Sequence, residues 1–174
     1  MVFRAGSPMT TTMKATMAKP STGSNLCVDV TGASTSTGTK LQQWGCSGNS
    51  NQLFNFVPSY VSYTLYYTIT DSVGHCWDLT GPSFSAGTPV QMWTCTGGSN
   101  QMFQISQTTN GWVIRPFYAQ GMCLDISSGS ASNGAAVQIW TCNDTPAQVY
   151  NFNTPSAGKY FDSLTRYHQV IQPA

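Results

Sequence analysis

Apolar and polar residues alternate in short runs along most of the chain, and stretches rich in Gly, Ser, Thr and Asn separate the runs. Alternation with a period of two is typical of β-strands that bury one face. Residues 60–70 and 112–117 are two such runs, and each is predicted to be a strand. Turns are predicted at residues 31–39, 80–88 and 127–134. The pattern therefore predicts an all-β protein.

The same pattern occurs three times. Each repeat holds two cysteines 19 residues apart, and the second and third repeats begin 49 and 47 residues after the preceding one. Around the cysteines recur C-x-D, then Q-x-W-x-C, then a Gln followed two residues later by an aromatic residue. Residues ahead of the first C-x-D are poor in apolar side chains, so the start of repeat one is the least defined. We predict one domain over residues 1–174, with approximate repeats 5–56, 57–105 and 106–155 and a closing strand within 156–174.

Charge is scarce in this chain. Only 7 % of residues are charged, against about 25 % in ordinary soluble proteins, and the net charge is +1. Without clustered Lys and Arg there is no footprint for nucleic acid, because phosphate binding needs such clusters. No stretch approaches the ~20 apolar residues that cross a bilayer, so no transmembrane segment is expected. Hydroxyls and amides, rather than charges, are expected to keep the protein in solution.

The six cysteines allow fifteen pairings, of which the threefold repeat makes one the simplest. It places one bridge in each repeat: Cys27–Cys46, Cys76–Cys95 and Cys123–Cys142. With two histidines and no C-x-x-C there is no zinc-ligand spacing, so neither a metal nor a cofactor is expected. A regular, even set of cysteines favours an extracellular location. The N-terminus has no apolar signal-peptide core, which leaves open a removed signal, another export route or reduced thiols.

Three polar and aromatic positions recur in register. A Gln follows the Asp of each C-x-D by 13 residues, and a Trp follows that Gln by two. On an alternating strand this Gln and Trp share one face. Carboxylate, amide and indole together suit a sugar, whose C–H face stacks on the indole while its hydroxyls bind the polar groups. The alternative is a core Trp and a turn-capping Asp, and it is weaker for Asp because burying a carboxylate without a charged partner is costly.

The C-x-D, Q-x-W-x-C and N-Q-x-F pattern resembles the ricin B-type lectins, also classed as carbohydrate-binding module family 13. The resemblance covers roughly residues 27–153. It implies a β-trefoil with three pseudo-symmetric four-stranded subdomains. It also implies shallow sites, one for each subdomain, that bind galactose or N-acetylgalactosamine on the glycans of glycoproteins or glycolipids.

The resemblance also implies which residues bind the sugar and which pack. The implied sugar-binding residues are Asp29, Gln42, Trp44, Asn51 and Gln52; Asp78, Gln91, Trp93, Asn100 and Gln101; and Asp125, Gln138, Trp140 and Gln148. Repeat three has Ala147 where the pattern has Asn, so one expected sugar contact is missing there. The aromatic residue after each second Gln is expected to pack in the core: Phe54, Phe103 and Tyr150.

Catalytic motifs are not found in the sequence. There is no G-x-S-x-G, H-E-x-x-H, P-loop or Rossmann glycine pattern. The repeated aspartates belong to separate subdomains, whereas glycoside hydrolysis needs two carboxyl groups about 5 to 10 Å apart. We therefore expect a multivalent lectin and not an enzyme. The alternatives are a β-trefoil protease inhibitor and the sugar-targeting module of a larger secreted glycoside hydrolase. No pattern in the sequence indicates an oligomeric state.

Overall fold

The computed structural model describes residues 12–153, which form twelve β-strands joined by loops and short 3-10 turns. The strands are β1 Met13–Pro20, β2 Leu26–Val30, β3 Leu41–Gly45, β4 Phe54–Val61, β5 Thr64–Thr70, β6 His75–Leu79, β7 Val90–Thr94, β8 Phe103–Thr108, β9 Gly111–Pro116, β10 Met122–Ile126, β11 Val137–Thr141 and β12 Tyr150–Asn153. Within these residues no helix has the length and apolar character needed to cross a membrane.

Six of the strands close into a barrel. They are hydrogen-bonded in the order β4-β1-β12-β9-β8-β5, and β5 pairs again with β4. The other six strands form three hairpins, β2–β3, β6–β7 and β10–β11. Each repeat contributes four consecutive strands, of which the first and last are in the barrel and the middle two form a hairpin. The fold is a β-trefoil with three pseudo-symmetric four-stranded subdomains, as the resemblance implied.

The strand predicted over residues 60–70 is wrong as a single element. The chain reverses at Ser62 and Tyr63, whose φ angles are 44° and 66°, so that β4 ends before the turn and β5 begins after it. Tight hairpin turns with positive φ usually carry Gly or Asn, and neither marks this one. The prediction over residues 112–117 is confirmed by β9 to within one residue at each end.

The outlines of the repeats differ slightly from the predicted ones. Strands β4 and β8 run on to Val61 and Thr108, past the boundaries drawn after residues 56 and 105. The closing strand predicted within residues 156–174 lies outside the described residues. The division into three approximate repeats within one domain therefore stays a prediction in its detail.

Strand β1 opens repeat one although its sequence has few large apolar residues. It pairs with β12 and with β4, and the register with β4 shifts between Met13 and Thr16. Within the shift Ala15 has a φ of 49°, and its N–H donates to Asn55 Oδ1 at 3.1 Å. Thr16 and Ala18 are fully buried. Small side chains suffice here because β1 lies between two barrel strands.

An aromatic cluster fills the core. Trp77, the middle residue of the second C-x-D, makes edge-to-face contacts with Phe54, Phe56 and Phe103 at centroid distances of 5.1, 6.1 and 6.3 Å. Such pairs add about 0.5–1.5 kcal/mol to the free energy of burial. Phe54, Phe103 and Tyr150 have no exposed surface, which confirms their predicted packing role.

The three predicted disulfides are present, one in each repeat. In each, the two Cα atoms are 5.1 Å apart and the sequence separation is 19 residues. Loops of this length stabilise a fold by about 3 kcal/mol each in the chain-entropy model. Each bridge joins the first strand of a hairpin to the segment that leaves its second strand.

A buried amide joins repeat one to repeat three. Gln43 occupies a fully buried position where the other hairpins have Met92 and Ile139. Its Nε2 donates to the carbonyl oxygens of Ser130 and Ser132, each at 3.0 Å. The hydroxyl of Thr22 donates to its Oε1. These bonds satisfy the amide and hold the last repeat against the first.

Tyr150 supplies a test of the core. Its hydroxyl is buried without a hydrogen-bond partner among residues 12–153, at a position where the other repeats have phenylalanine. An unsatisfied buried hydroxyl costs about 1–3 kcal/mol. We therefore expect Tyr150→Phe to raise the free energy of unfolding by about 1 kcal/mol, measured by denaturant titration at neutral pH. An unchanged or lower value would contradict this account of the core.

The same substitution has a pH-dependent consequence. Burial raises the pKa of Tyr150 well above its ordinary value, and the nearby Asp125 carboxylate raises it further. The native state therefore holds this proton where the unfolded chain loses it, so stability falls as the pH rises above about 10. We expect Tyr150→Phe to reduce this alkaline loss, and thermal melts at about pH 9 and pH 11 would show it.

Candidate functional site

Hairpin register brings the repeated polar residues together. In β2–β3, Asp29 lies opposite Gln42 and Cys27 lies opposite Trp44. The other two hairpins have the same register, pairing Asp78 with Gln91, Cys76 with Trp93, Asp125 with Gln138 and Cys123 with Trp140. Because alternate residues of a strand point to opposite faces, the Asp, Gln and Trp of each hairpin share its outer face. We call the groups around Asp29, Asp78 and Asp125 site one, site two and site three.

A 3-10 turn after each hairpin adds the remaining residues. Ser50–Gln52 carries Asn51 and Gln52 to site one, and Ser99–Gln101 does the same at site two. At site three the turn Pro146–Gln148 brings Gln148 and Ala147. The structure thus assembles all fourteen predicted binding residues into three groups.

Amide groups surround each carboxylate. In site one, Asp29 Oδ1 accepts from Gln42 Nε2 at 2.9 Å, and Oδ2 accepts from Asn51 Nδ2 at 2.7 Å and Gln52 Nε2 at 2.9 Å. Site two repeats this pattern with Gln91, Asn100 and Gln101 at 2.8–2.9 Å. Site three keeps only the two glutamine donors, Gln138 and Gln148, each at 3.0 Å.

The three aspartates are buried. The sequence had indicated that a buried position was the weaker alternative for them, because an unpaired buried carboxylate is costly, and this expectation is corrected. Asp29, Asp78 and Asp125 are 4 %, 4 % and 5 % exposed. Within residues 12–153 no lysine or arginine forms an ion pair with any of them. The amide N–H donors supply the hydrogen bonds that water would otherwise provide, which removes most of the cost of burial.

The second glutamine of each site lies behind the carboxylate. Gln52 is 1 % exposed, its Nε2 also donates to Gly45 O at 2.9 Å, and its Oε1 accepts from Ser47 N at 2.7 Å. Gln101 and Gln148 are buried to the same extent and make the equivalent bonds. Direct sugar contact by these three glutamines stays a prediction, and their burial argues for a positioning role.

The three tryptophans are exposed, so the core alternative is wrong for them. Trp44, Trp93 and Trp140 are 45 %, 41 % and 45 % exposed. A glycine from the preceding repeat lies against the benzo ring of each indole. The pairs are Gly38–Trp93, Gly87–Trp140 and Gly134–Trp44. If the glycine were replaced by alanine, the added Cβ would lie 3.4–3.9 Å from Cζ3 of the tryptophan, which is van der Waals contact. One part of each indole is therefore supported by the neighbouring repeat, and the rest faces solvent.

Backbone hydrogen bonds fix each glycine loop to the next hairpin. Gly38 N donates to Met92 O at 2.7 Å, and Met92 N donates to Thr39 O at 2.8 Å. The loops of repeats two and three make the same pair of bonds to the next hairpin. These glycines were not predicted from the sequence. The recurrence S-x-S-x-G, which ends at Gly38, Gly87 and Gly134, was the signal that could have found them.

Sites one and three open into shallow cavities of different size. The cavity at site one has a volume of ≈ 380 Å³ and is lined by Asp29, Trp44 and Asn51 among others. The cavity at site three has a volume of ≈ 700 Å³, and the lining there includes Ala147. The turn after β1 also reaches this cavity. The site that lacks the asparagine is therefore the roomier one.

The chemistry available at these sites is hydrogen bonding and stacking. Within the described part of the chain, no group of three or more His, Cys, Asp or Glu side chains could hold a metal ion. Each site combines one carboxylate, neutral amides and an exposed indole. This combination, on a β-trefoil, defines a carbohydrate-binding protein.

The family comparison agrees with this class. The model of the ricin-type beta-trefoil lectin domain matches residues 15–150, and the chain belongs to that family. The comparison with curated proteins finds no match.

Solved structures share the fold. The designed threefold symmetric protein ThreeFoil is 25 % identical to this chain, with a TM-score of 0.70. The match covers 79 % of this chain and 96 % of ThreeFoil. The C-half of the earthworm R-type lectin, solved in complex with GalNAc, is 16 % identical with a TM-score of 0.62, covering 81 % and 98 %. An exo-beta-1,3-galactanase from Clostridium thermocellum is 19 % identical with a TM-score of 0.73, covering 82 % of this chain but 30 % of its own.

The exposure of the indoles predicts the outcome of truncating them. We expect Trp44→Ala and Trp93→Ala each to change the free energy of unfolding by less than about 1 kcal/mol. Trp77→Ala, in the core, should cost about 3–5 kcal/mol. Denaturant unfolding of the three variants provides the comparison, and a loss of several kcal/mol in either exposed variant would contradict the assignment.

Proposed function

We propose that this protein is a multivalent lectin that binds galactose-type sugars, galactose and N-acetylgalactosamine, on the glycans of glycoproteins or glycolipids, without catalysis. One observation carries the proposal. An exposed indole lies on the same hairpin face as a carboxylate that amides hold in place, and this arrangement occurs three times. The extracellular location that we propose is supported by the three disulfides.

Each group has a separate task in the proposed mechanism. The solvent-facing part of the indole stacks on the C–H face of the sugar. The carboxylate accepts hydrogen bonds from sugar hydroxyls, and bonds to an ionised acceptor are the stronger kind. Because Gln and Asn already fix the carboxylate, little conformational freedom is lost on binding. The axial 4-hydroxyl of galactose leaves one face of the ring rich in C–H groups, which favours stacking.

Three weak sites on one rigid body account for useful affinity. Shallow sites of this kind bind a single sugar weakly. Simultaneous binding at two or three of them raises the overall affinity by roughly 10² to 10⁴ on a surface dense in glycans. The sites lie on three different hairpins, which suits a branched or clustered ligand.

A catalytic role has little support in the arrangement of the sites. Among residues 12–153, each hydrogen-bond network contains a single carboxylate, whereas glycoside hydrolysis uses two. The second candidate is a sugar-targeting module of a larger secreted hydrolase, favoured by the likeness to a domain-sized part of a galactanase. That candidate shares the binding chemistry proposed here. The protease-inhibitor alternative does not require the carboxylate, amides and exposed indole that recur in each repeat.

A glycan-array screen tests the binding proposal. We expect the wild-type protein to bind galactose-terminated glycans and to be displaced by free galactose or lactose. Trp44→Ala, Trp93→Ala and Trp140→Ala should each weaken binding by about tenfold, and the triple variant should abolish it. Tyr118→Ala is the matched control, because Tyr118 is 57 % exposed and lies outside the three sites. If the wild-type protein binds no glycan on the array, the proposal is overturned.

Site three is proposed to bind sugar despite Ala147. Asp125 Oδ2 accepts one amide hydrogen where Asp29 Oδ2 accepts two, which leaves acceptor capacity for a sugar hydroxyl. The larger cavity suits a sugar with an acetamido group. Ala147→Asn fills this space and restores the missing donor.

Calorimetric titration of site three alone would check this. In a Trp44→Ala, Trp93→Ala background, we expect Ala147→Asn to lower the affinity for N-acetylgalactosamine relative to galactose by about tenfold. The parent double variant is the reference. An unchanged or increased ratio would show that Ala147 does not set the selectivity of site three.

A further inference from the structure

Lys40 reaches from repeat one into site two. It lies just before β3 and forms an antiparallel bridge with Gln91. Its Nζ donates to Gln91 Oε1 at 2.8 Å and to Thr80 Oγ1 at 2.9 Å. Gln91 Nε2 in turn donates to Asp78 Oδ1 at 2.9 Å. The ammonium group therefore belongs to the same hydrogen-bond chain as the carboxylate of site two.

The threefold relation places this ammonium group on the wall of the binding site. Gln138 and Ser127 are the equivalents of Gln91 and Thr80 in repeat three, and both line the cavity at site three. The two hydrogen bonds of Lys40 use two of its three N–H groups. The side chain is exposed, so the ammonium group is open to a bound ligand.

In the described part of the chain, no equivalent cation occurs at the other two sites. The residues that bridge to Gln42 and Gln138 in the same way are Ala136 and Pro89. The amide networks of sites one and three bury their carboxylates without a lysine. A purely structural need to neutralise the aspartate therefore does not explain Lys40.

The rim of site three has a charge of the opposite sign. Asp144 lies between Asn143 and Thr145, which line its cavity. The equivalent positions in repeats one and two are Gly48 and Gly97, and all three residues have positive φ angles. Among the described residues, site two thus has a fixed positive charge and site three a nearby negative one.

Resting on the proposed lectin function, we propose that site two selects galactosides that carry an anionic substituent, a sulfate ester or a carboxylate, and that Lys40 determines this selectivity. The ammonium group supplies a charge-assisted hydrogen bond to the anionic oxygen. Its two bonds to the protein hold it in place before the ligand arrives, which lowers the entropic cost of the contact. In a chain with 7 % charged residues, few other charges compete for the ligand.

The test uses the full chain with site two isolated. Trp44→Ala and Trp140→Ala together remove stacking at the other two sites. Calorimetric titrations then compare methyl galactoside with its 3-O-sulfated and 6-O-sulfated forms and with a sialylated galactoside. We expect an anionic ligand to bind about tenfold more tightly than the neutral one at low salt. At about 1 M salt, where the Debye length is about 3 Å, the difference should shrink.

Variants at Lys40 assign the effect. Lys40→Met keeps most of the aliphatic stem and should bring the ratio of anionic to neutral affinity close to one, whereas Lys40→Arg should retain most of it. Lys14→Met is the matched control, since Lys14 is an exposed lysine of β1 that takes part in none of the three networks. Ala136→Lys, with Trp93 and Trp140 replaced by Ala, should confer the preference on site one.

The outcomes separate this proposal from the lectin proposal. Neutral and anionic galactosides binding equally to site two, or a preference that survives Lys40→Met, would overturn the role of Lys40 and leave the lectin function standing. Failure of the isolated site two to bind any galactoside would overturn the role of Lys40, and failure of the wild-type protein to bind any galactoside would overturn both proposals. A preference for sulfated ligands alone identifies a sulfate ester, and a preference for the sialylated ligand alone identifies a carboxylate.

Discussion

The buried carboxylate of each hairpin is the interaction on which the sites depend. Asp29 accepts hydrogen bonds from the opposite strand through Gln42 and from the following 3-10 turn through Asn51 and Gln52. These bonds tie hairpin and turn into one rigid unit. They also satisfy amide groups that are wholly or partly buried. The carboxylate that is proposed to meet the sugar therefore also stabilises the local fold, which makes its replacement by alanine a poor test of binding alone.

Closure of the barrel makes each site a property of two repeats. The loop of one repeat lies against the indole of the next, as Gly38 does against Trp93. A common scaffold can then carry three different ligand environments, because single side chains at the repeat boundaries alter the rim without disturbing the network. Lys40 at site two is such a change, whereas Ala147 at site three removes one amide donor from the network around Asp125. Repetition supplies the exposed indoles and the amide-held carboxylates, and the departures from repetition are proposed to set the selectivity.

Much of the fold could be predicted because its signals lie within single repeats. The spacing between Asp29 and Gln42 reflects the hairpin register, and the spacing of Cys27 and Cys46 reflects one bridge in each hairpin. Burial was harder to predict. An aspartate without a cation was expected to avoid the interior, yet amide donors take the place of the cation. The turn at Ser62 and Tyr63 has neither Gly nor Asn at its positive-φ positions, so the pattern merged two strands into one.

The sequence by itself determined the all-β class, the threefold repeat, the cysteine pairing and the set of residues gathered at each site. These features arise from pairings over fewer than about 25 residues, and alternation on strands records such pairings directly. Only the tertiary structure decided which repeat lies against which, and therefore that Gly38 supports Trp93 and that Lys40 bonds to Gln91. Those contacts join residues about fifty positions apart that meet only when the barrel closes, and no local periodicity encodes them.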